Sequence, residues 1–143
     1  MEEWKEIKNY EGLYCISNYG RIKSLKHKNE KILVLSTNKD GYLKAKLFKN
    51  GKSKVVYAHR LVAITFLPNP NNFIIVNHKD ENKQNNHINN LEWCTSKYNN
   101  NYGSRYYKNN RKLYVNEALK LLKSITNKSN KIKKVINILE KLK

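Results

Sequence analysis

A polar segment between two apolar runs constrains the fold of this chain more than any other feature. Residues 77–90 contain one apolar side chain, Ile88, and the runs on either side are Ile74-Ile75-Val76 and Leu91-Glu92-Trp93. Short apolar runs of this kind predict two strands joined by a polar loop. Ser96 is a predicted N-cap for a following helix that carries Asn99 on its first turn. We therefore expect a strand, loop, strand and helix in that order.

Such a unit can bring together the groups that hydrolyse a phosphodiester bond in water. The reaction needs a general base, for which histidine suits neutral pH, and a divalent cation held by oxygen ligands. His78, at the end of the first strand, is the candidate base. Asn77 and Asn99 are candidate metal ligands through their amide oxygens. Asn90 is a candidate to brace the loop and to fix the imidazole through backbone hydrogen bonds.

Each of these residues also has a plainer interpretation. A single histidine between polar residues is usually a surface residue, and asparagines, of which this chain has 23, usually form turns, loops and caps. On this reasoning His27 and His87 are expected at the surface, Trp93 in the core rather than as a base-stacking platform, and Asp80 turning the loop backbone with Asn82 rather than binding a metal. His59, which opens a helix with Arg60, is either a buried capping histidine or a residue that faces the active site, and the structural role is favoured.

Turn signals divide the first 58 residues into short strands. The predicted strands are Tyr14–Ser17, Arg21–Leu25, Lys31–Leu35, Tyr42–Phe48 and Val55–Ala58. Asn50-Gly51 is the strongest hairpin signal. We expect a small antiparallel sheet with one apolar face, and with Lys23, Lys44 and Lys46 on the other face and Lys54 as a further candidate. That basic face is either a solvated surface or a surface laid on DNA. A helix over 59–66, stopped by Pro68 and Pro70, follows the sheet.

The charge of the chain favours a polyanionic partner over an acidic small molecule. Lys and Arg total 29 against 11 Asp and Glu, a formal net charge of +18. Residues 1–103 carry 17 basic and 9 acidic residues (net +8), and residues 104–143 carry 12 and 2 (net +10). Apolar residues at helical spacing predict two amphipathic helices there, about 116–125 and 130–142, with Asn116 and Asn130 as N-caps and a turn at 126–129. Basic amphipathic helices bind membrane surfaces, partner helices or DNA, and the tail alone does not decide among these.

The sequence gives no sign of a membrane protein or of a secreted one. No stretch reaches the ~20 apolar residues of a membrane span. The segment Met1–Glu6 is acidic and polar, unlike a signal peptide. We expect an intracellular protein without a membrane partner.

Two groups of motifs resemble known nuclease modules. The segments Val76–Lys83, Asn85-Asn86, Asn89–Trp93 and Thr95–Asn99, with His59–Ala63 and Phe66–Pro70 before them, resemble the HNH motif of phage-type homing endonucleases. Further upstream, Trp4–Ile7, Tyr10–Tyr14, Ile16–Ile22 and Lys23-Ser24 resemble the nuclease-associated modular domain that often precedes it. The matches cover about residues 3–100.

The resemblance implies an α+β fold in three parts: a small antiparallel β domain (1–56), a ββα-metal, or His-Me finger, nuclease domain (57–103), and a basic helical tail that contacts DNA (104–143). It implies that His78 is the general base and that Asn90 is the middle Asn of the motif. Asn99 takes the last ligand position and Asn77 the first, where some members have Asp. Glu81 stands where glycine is common, which predicts a turn that is either strained or slightly reshaped. The implied cofactor is Mg²⁺ or Mn²⁺.

The leading hypothesis is a metal-dependent DNA endonuclease that acts on double-stranded DNA, with a monomer favoured. A catalytically weak or inactive DNA-binding protein of the same ancestry is the alternative, and a basic membrane-surface protein is a weaker third. The predicted DNA contacts are basic residues along the whole chain: Arg21, Lys23, Lys44, Lys46, Arg60, Lys97, Arg105, Lys108, Arg111 and Lys112.

Overall fold

The computed structural model describes residues 1–26, 29–124 and 130–141 and divides into two compact units, Met1–Asn99 and Asn100–Lys143. The strands of the first unit are β1 (Trp4–Glu6), β2 (Tyr14–Ser17), β3 (Ile22–Ser24), β4 (Lys31–Ile32), β5 (Ser36–Thr37), β6 (Leu43–Lys49), β7 (Lys52–Tyr57), β8 (Ile75–His78) and β9 (Leu91–Cys94). The helices of the chain are α1 (Ala58–Phe66), α2 (Ser96–Asn100), α3 (Gly103–Ser124) and α4 (Asn130–Glu140). This mixed architecture confirms the expected fold class.

The strands form three antiparallel sheets, in the orders β1-β2-β3-β4, β5-β6-β7 and β8-β9. The prediction of one N-terminal sheet is therefore wrong. The predicted strand over Lys31–Leu35 is also divided, because β4 pairs with β3 while β5 pairs with β6 in the next sheet. Strand periodicity is a local signal and does not report which partner each half of a segment pairs with.

The hairpin between β6 and β7 turns at Asn50 and Gly51, as predicted. Lys49 pairs with Lys52, so these two residues are the whole loop. Both have positive φ (51° and 72°), which the two-residue hairpin turn with the matching twist requires.

Alternation along β6 separates an apolar face from a basic one. Ala45 and Leu47 are buried, whereas Lys46 and Phe48 are exposed. Lys54 pairs with Leu47 and therefore projects from the apolar side of the sheet, not from the side of Lys46. Lys23 lies in the other sheet, on β3.

One hydrophobic core joins the two N-terminal sheets to the segments that follow. Ile16 from β2, Leu47 from β6, Val62 from α1 and Leu91 from β9 are all members of it. The helix α1 begins one residue earlier than predicted and ends at Phe66, where Leu67 forms its C-cap just before Pro68. The core fixes the strand pair β8-β9 against α1 and the first sheets.

The second unit is a pair of helices with a small core of its own. Val115 and Leu119 from α3 and Ile136 from α4 are buried together. The predicted first helix was too short, because α3 begins at Gly103 and Asn116 lies within it rather than at its N-cap. The upstream half of α3 has few aliphatic residues, so its periodicity was weak. The predicted turn at 126–129 lies outside the described residues.

No helix in the described ranges combines the length and the apolar character needed to cross a bilayer.

Candidate active site

The strands β8 and β9, the loop 79–90 and the helix α2 form the predicted order of strand, loop, strand and helix. His78 ends β8 and pairs with Leu91 at the start of β9. The N-cap of α2 is Thr95 and not Ser96, because the Thr95 hydroxyl accepts the backbone N–H of Tyr98 at 3.1 Å. The first turn of α2 carries Asn99, as expected.

The imidazole of His78 is almost fully enclosed, with 4% of the residue exposed. Its Nε2 lies 3.1 Å from Oδ1 of Asn86, which is itself buried. The Asn86 Nδ2 donates to the carbonyl of Gln84 at 3.3 Å, so the amide oxygen faces the imidazole. An amide oxygen can only accept, and the Nε2–H of His78 must be the donor. The proton on Nε2 leaves Nδ1 as the basic nitrogen of a neutral ring.

Asn90 braces the loop, as the residues alone suggested. Its Nδ2 donates to Oδ1 of Asp80 and to the carbonyl of Asn85, both at 2.8 Å. Its Oδ1 accepts the N–H of Asp80 (3.0 Å), and its carbonyl accepts the N–H of Lys79 (2.8 Å). Asn90 therefore ties the residues directly after His78 to the far end of the loop.

Asp80 and Glu81 complete the turn after His78. The Asp80 carboxylate accepts the N–H of Asn82 at 2.8 Å, which is the expected backbone-turning role. Hydrogen bonds from Asn85 and Asn90 hold the pKa of Asp80 below its ordinary value. Glu81 has φ = 61°, so the expected strain is present: a left-handed conformation at a residue with a side chain costs ~1 kcal/mol.

Asn77 is buried beside a carboxylate. It pairs across the strands with Glu92, and its Nδ2 donates to Glu92 Oε1 at 2.8 Å. Asn99 is half-buried on α2. Among the described residues, no group of three or more His, Cys, Asp or Glu side chains could hold a metal ion. The candidate donors Asn77 and Asn99 offer amide oxygens, which suit a hard divalent cation in type but carry no charge.

His59 lies directly against His78, with ring centroids 5.2 Å apart. The rings of Tyr42 and Tyr57 lie 4.8 and 5.8 Å from that of His59. Burial, with smaller contributions from His78 and Arg60, lowers the pKa of His59 to about 3. Its Nδ1 is buried without a hydrogen-bond partner. His59 is thus a neutral aromatic side chain that packs against the proposed base, which is consistent with the structural role expected for it.

Two of the predicted DNA contacts in the first unit, Arg21 and Lys23, already form ion pairs with glutamates. Arg21 is exposed but paired with Glu2, and Lys23 is paired with Glu30 at 2.7 Å. The Lys23 Nζ also lies 4.5 Å above the Trp4 ring. Both side chains would have to exchange these partners to contact a phosphate.

The other predicted contacts differ in exposure and in hydrogen bonding. Lys44 and Lys46 share the outer face of β6, and Arg60 is exposed while donating to the carbonyl of Ile74 at 3.0 Å. Arg105 is half-buried, and the remaining residues are exposed: Lys97, Lys108, Arg111 and Lys112.

Sequence reasoning missed two residues of the site, Asn86 and Glu92. Asn86 belongs to the HNH-like motif, but nothing in the sequence distinguishes it as the buried one among 23 asparagines.

His87 was expected at the surface, yet it is half-buried. Its ring meets that of Tyr19 edge-on with centroids 4.6 Å apart, and its Nδ1 accepts the N–H of Asn89. Trp93 packs against the core, as expected. His27 lies outside the described residues.

Two family models match the chain in the order that the motifs suggested. A NUMOD4 motif matches residues 2–48, and an HNH endonuclease model matches residues 56–101.

Curated relatives point to the same family. The chain is 48% identical over 97 residues to DNA endonuclease I-HmuI of Bacillus phage SP01, a match that covers 68% of this chain and 55% of the relative. An uncharacterized HNH endonuclease, L245 of Acanthamoeba polyphaga mimivirus, is 48% identical over 86 residues (60% of this chain, 26% of the relative). The H-N-H endonuclease F-TflII of Escherichia phage T5 is 36% identical over 93 residues (64% and 47%). The chain thus spans between a quarter and just over half the length of these relatives.

A solved structure supports the relationship in three dimensions. The structure titled "DNA binding and cleavage by the HNH homing endonuclease I-HmuI" aligns with a TM-score of 0.65 at 42% identity, and covers 85% of this chain and 66% of the other. The motifs, the fold and the sequence matches agree: the chain carries a NUMOD4 motif followed by an HNH endonuclease domain and is a homologue of the homing endonuclease I-HmuI.

Proposed function

We propose that this chain is a metal-dependent endonuclease that hydrolyses phosphodiester bonds of double-stranded DNA, with His78 as the general base. The observation that carries the proposal is the enclosed imidazole at the end of β8, with its Nε2–H donated to Asn86. In that tautomer Nδ1 is the basic nitrogen, which would take a proton from water as the water oxygen bonds to phosphorus and the bond from phosphorus to the leaving oxygen breaks. Relatives whose names describe DNA endonucleases support the substrate class.

The amide oxygens of Asn77 and Asn99 are the proposed protein ligands of a divalent cation, Mg²⁺ or Mn²⁺. When bound, the cation neutralises the phosphate and stabilises the leaving oxygen. Glu92 holds the nitrogen side of the Asn77 amide, so the oxygen is the end that Asn77 would present to the cation. Both proposed ligands are uncharged, so they would hold the cation more weakly than carboxylates would, and substrate phosphate would add to its binding.

Asn90 supports the base without touching the substrate. By tying Lys79 and Asp80 to the end of the loop, it keeps the turn after His78 closed.

The tail over 104–143 is proposed as a DNA-contacting module on the ground of its charge, and no groove-reading role is assigned to it. The proposed domain boundaries remain at 56/57 and 103/104.

A nicking assay on supercoiled plasmid DNA at low salt tests the chemistry. We expect open-circular or linear product with Mg²⁺ or Mn²⁺ and none with excess EDTA. His78→Ala should abolish cleavage and leave binding of a labelled duplex unchanged, because the base contributes to the reaction and not to affinity. Full cleavage by the His78→Ala protein would disprove the assignment of the base.

The assignment of Asn99 as a metal ligand is tested with a matched pair of asparagines at the C-terminal end of α2. Asn99→Ala should raise the Mn²⁺ concentration needed for half-maximal cleavage, whereas Asn101→Ala, an exposed asparagine two residues further on, should not. DNA binding that is sensitive to salt but accompanied by no metal-dependent cleavage would instead favour the alternative, a DNA-binding protein without catalysis. The uncharged ligand set is the observation that favours that alternative.

A further inference from the structure

The turn between β2 and β3 packs directly on the loop that holds the proposed base. The carbonyl of Asn18 accepts the N–H of Ile88 at 2.8 Å. The Tyr19 ring meets the His87 ring edge-on at 4.6 Å. Both contacts are made by residues that directly follow Asn86, so the NUMOD4 motif touches the HNH loop just after the residue that hydrogen-bonds His78.

Gly20 lies at the closest point of this contact. A Cβ atom on Gly20 would lie 2.4 Å from the Cβ of Asn86 and 3.3 Å from the Asn86 carbonyl oxygen. Carbon atoms of different side chains do not approach so closely, since their attraction is optimal at ~3.5–4.0 Å. Gly20 also has φ = 83°, a conformation that glycine adopts without cost. The absence of a side chain at residue 20 therefore lets the turn press against Asn86.

Asn86 is buried, and both ends of its amide form hydrogen bonds. Only 2% of it is exposed, its Nδ2 donates to Gln84, and its Oδ1 accepts the Nε2–H of His78. A buried amide with one orientation selects one tautomer of the imidazole that donates to it.

We propose that Asn86 is a positioning residue for the base, and that the β2–β3 turn of the NUMOD4 motif keeps it in place through Gly20. The N-terminal motif then contributes to catalysis in the HNH domain as well as to any DNA contact. The proposal rests on the function proposed above, because it assigns Asn86 a role through His78. It predicts that catalysis and DNA affinity respond differently to changes at residues 20 and 86.

The first test compares two substitutions of Asn86 that differ in whether a hydrogen-bond acceptor remains. Asn86→Leu removes the acceptor and keeps the same number and branching of side-chain heavy atoms, and Asn86→Asp keeps an oxygen at the same position. We expect Asn86→Leu to lower the single-turnover cleavage rate at saturating protein by about 10- to 100-fold with duplex affinity unchanged. Asn86→Asp should recover most of that loss.

A spectroscopic measurement on the metal-free protein reports the tautomer without reference to cleavage. Long-range ¹H–¹⁵N correlation spectra of histidine-labelled protein, recorded where the ring is neutral, should show His78 protonated on Nε2. The signal is assigned by its absence in His78→Ala. Asn86→Leu should move protonation toward Nδ1, and Asn86→Asp should not. A purely structural role for Asn86 would not change the tautomer.

The second test separates the contact at Gly20 from the strain of placing alanine at positive φ. Gly12 has φ = 68° in the same motif, and a Cβ there would meet no atom within 4 Å. Gly20→Ala and Gly12→Ala therefore carry similar backbone strain, but only the former displaces Asn86. We expect Gly20→Ala to slow single-turnover cleavage and alter the His78 tautomer, and Gly12→Ala to do neither. If Gly20→Ala does not fold, the Asn86 variants decide the proposal.

The outcomes separate failure of this proposal from failure of the proposed function. If Asn86→Leu keeps the wild-type tautomer and the wild-type rate, Asn86 does not position the base. If the tautomer changes while His78→Ala still cleaves, His78 is not the base and both proposals are overturned. An equal loss of rate in Gly20→Ala and Gly12→Ala would overturn the role of the β2–β3 turn.

Discussion

Two neighbouring histidines in the core show how position gives one residue type different roles. His78 donates its Nε2–H to Asn86, whereas the Nδ1 of His59 is buried without a partner. The pKa of His59 falls from 6.5 to about 3, chiefly through burial. In the unfolded chain His59 binds a proton as the pH drops through 6.5, but in the folded protein it does so only near 3. This difference stabilises the fold above pH 6.5 and is lost progressively as the pH falls toward 3.

Replacing His59 by phenylalanine should therefore make stability less dependent on pH. The linkage predicts that proton binding by His59 lowers the free energy of unfolding by roughly 2 to 3 kcal/mol between pH 7 and pH 4.5. His59→Phe keeps an aromatic ring against Tyr42, Tyr57 and His78 and removes this proton binding site. Urea titrations of both proteins across that range test the prediction. Parallel pH profiles for the two proteins would contradict it.

At the scale of single elements, local patterns located most strands but not their partners. The turn at Asn50-Gly51 was predictable because both residues tolerate positive φ. The division of Lys31–Leu35 between two sheets was not, since it depends on which distant strand each half meets. The same limit applies to the basic face. Lys44 and Lys46 share it, but Lys23 belongs to another sheet and Lys54 to the opposite side.

The outer face of β6 yields a prediction about DNA affinity. The double variant Lys44→Ala/Lys46→Ala should weaken duplex binding and reduce the slope of log K against log salt by about 1 to 2, if each lysine contacts one phosphate. Lys54→Ala, from the neighbouring strand but the other face, is the matched control and should change the slope less. Fluorescence anisotropy over a salt series measures both. If Lys54→Ala lowers the slope as much as each substitution in the double variant does, the lysines act through general electrostatic attraction and not through a DNA-contacting surface on β6.

At the scale of the whole molecule, the two units differ in net charge and in the size of their hydrophobic cores. The first unit has a shared core and a net charge of +8, whereas the second has a small core and a net charge of +10. The ordered helices of the second unit therefore depend on few apolar side chains. Leu119 is the most buried of these, with 3% exposed, while Leu121, two residues on, is 69% exposed.

This contrast predicts a local loss of structure from one substitution. Leu119→Ala should cost about 2–5 kcal/mol, enough to unfold a marginal helix pair, whereas Leu121→Ala should have little effect. The far-UV circular dichroism of Leu119→Ala should lose helical signal. The thermal transition of the first unit, followed by near-UV signals from Trp4 and Trp93, should remain. Loss of both transitions together would show that the two units fold as one.

The sequence by itself determined the order of strand, loop, strand and helix and the family of the chain. It also located His78 at the end of β8 and indicated the bracing role of Asn90. These follow from local periodicity, turn chemistry and motif spacing, which are properties of neighbouring residues. Only the tertiary structure decided that Asn86 accepts the hydrogen bond from His78 Nε2–H and that Gly20, 66 residues earlier in the chain, packs against Asn86. Burial and orientation of an amide depend on the segments packed around it, and no local pattern distinguishes one asparagine from its neighbours in a chain so rich in them.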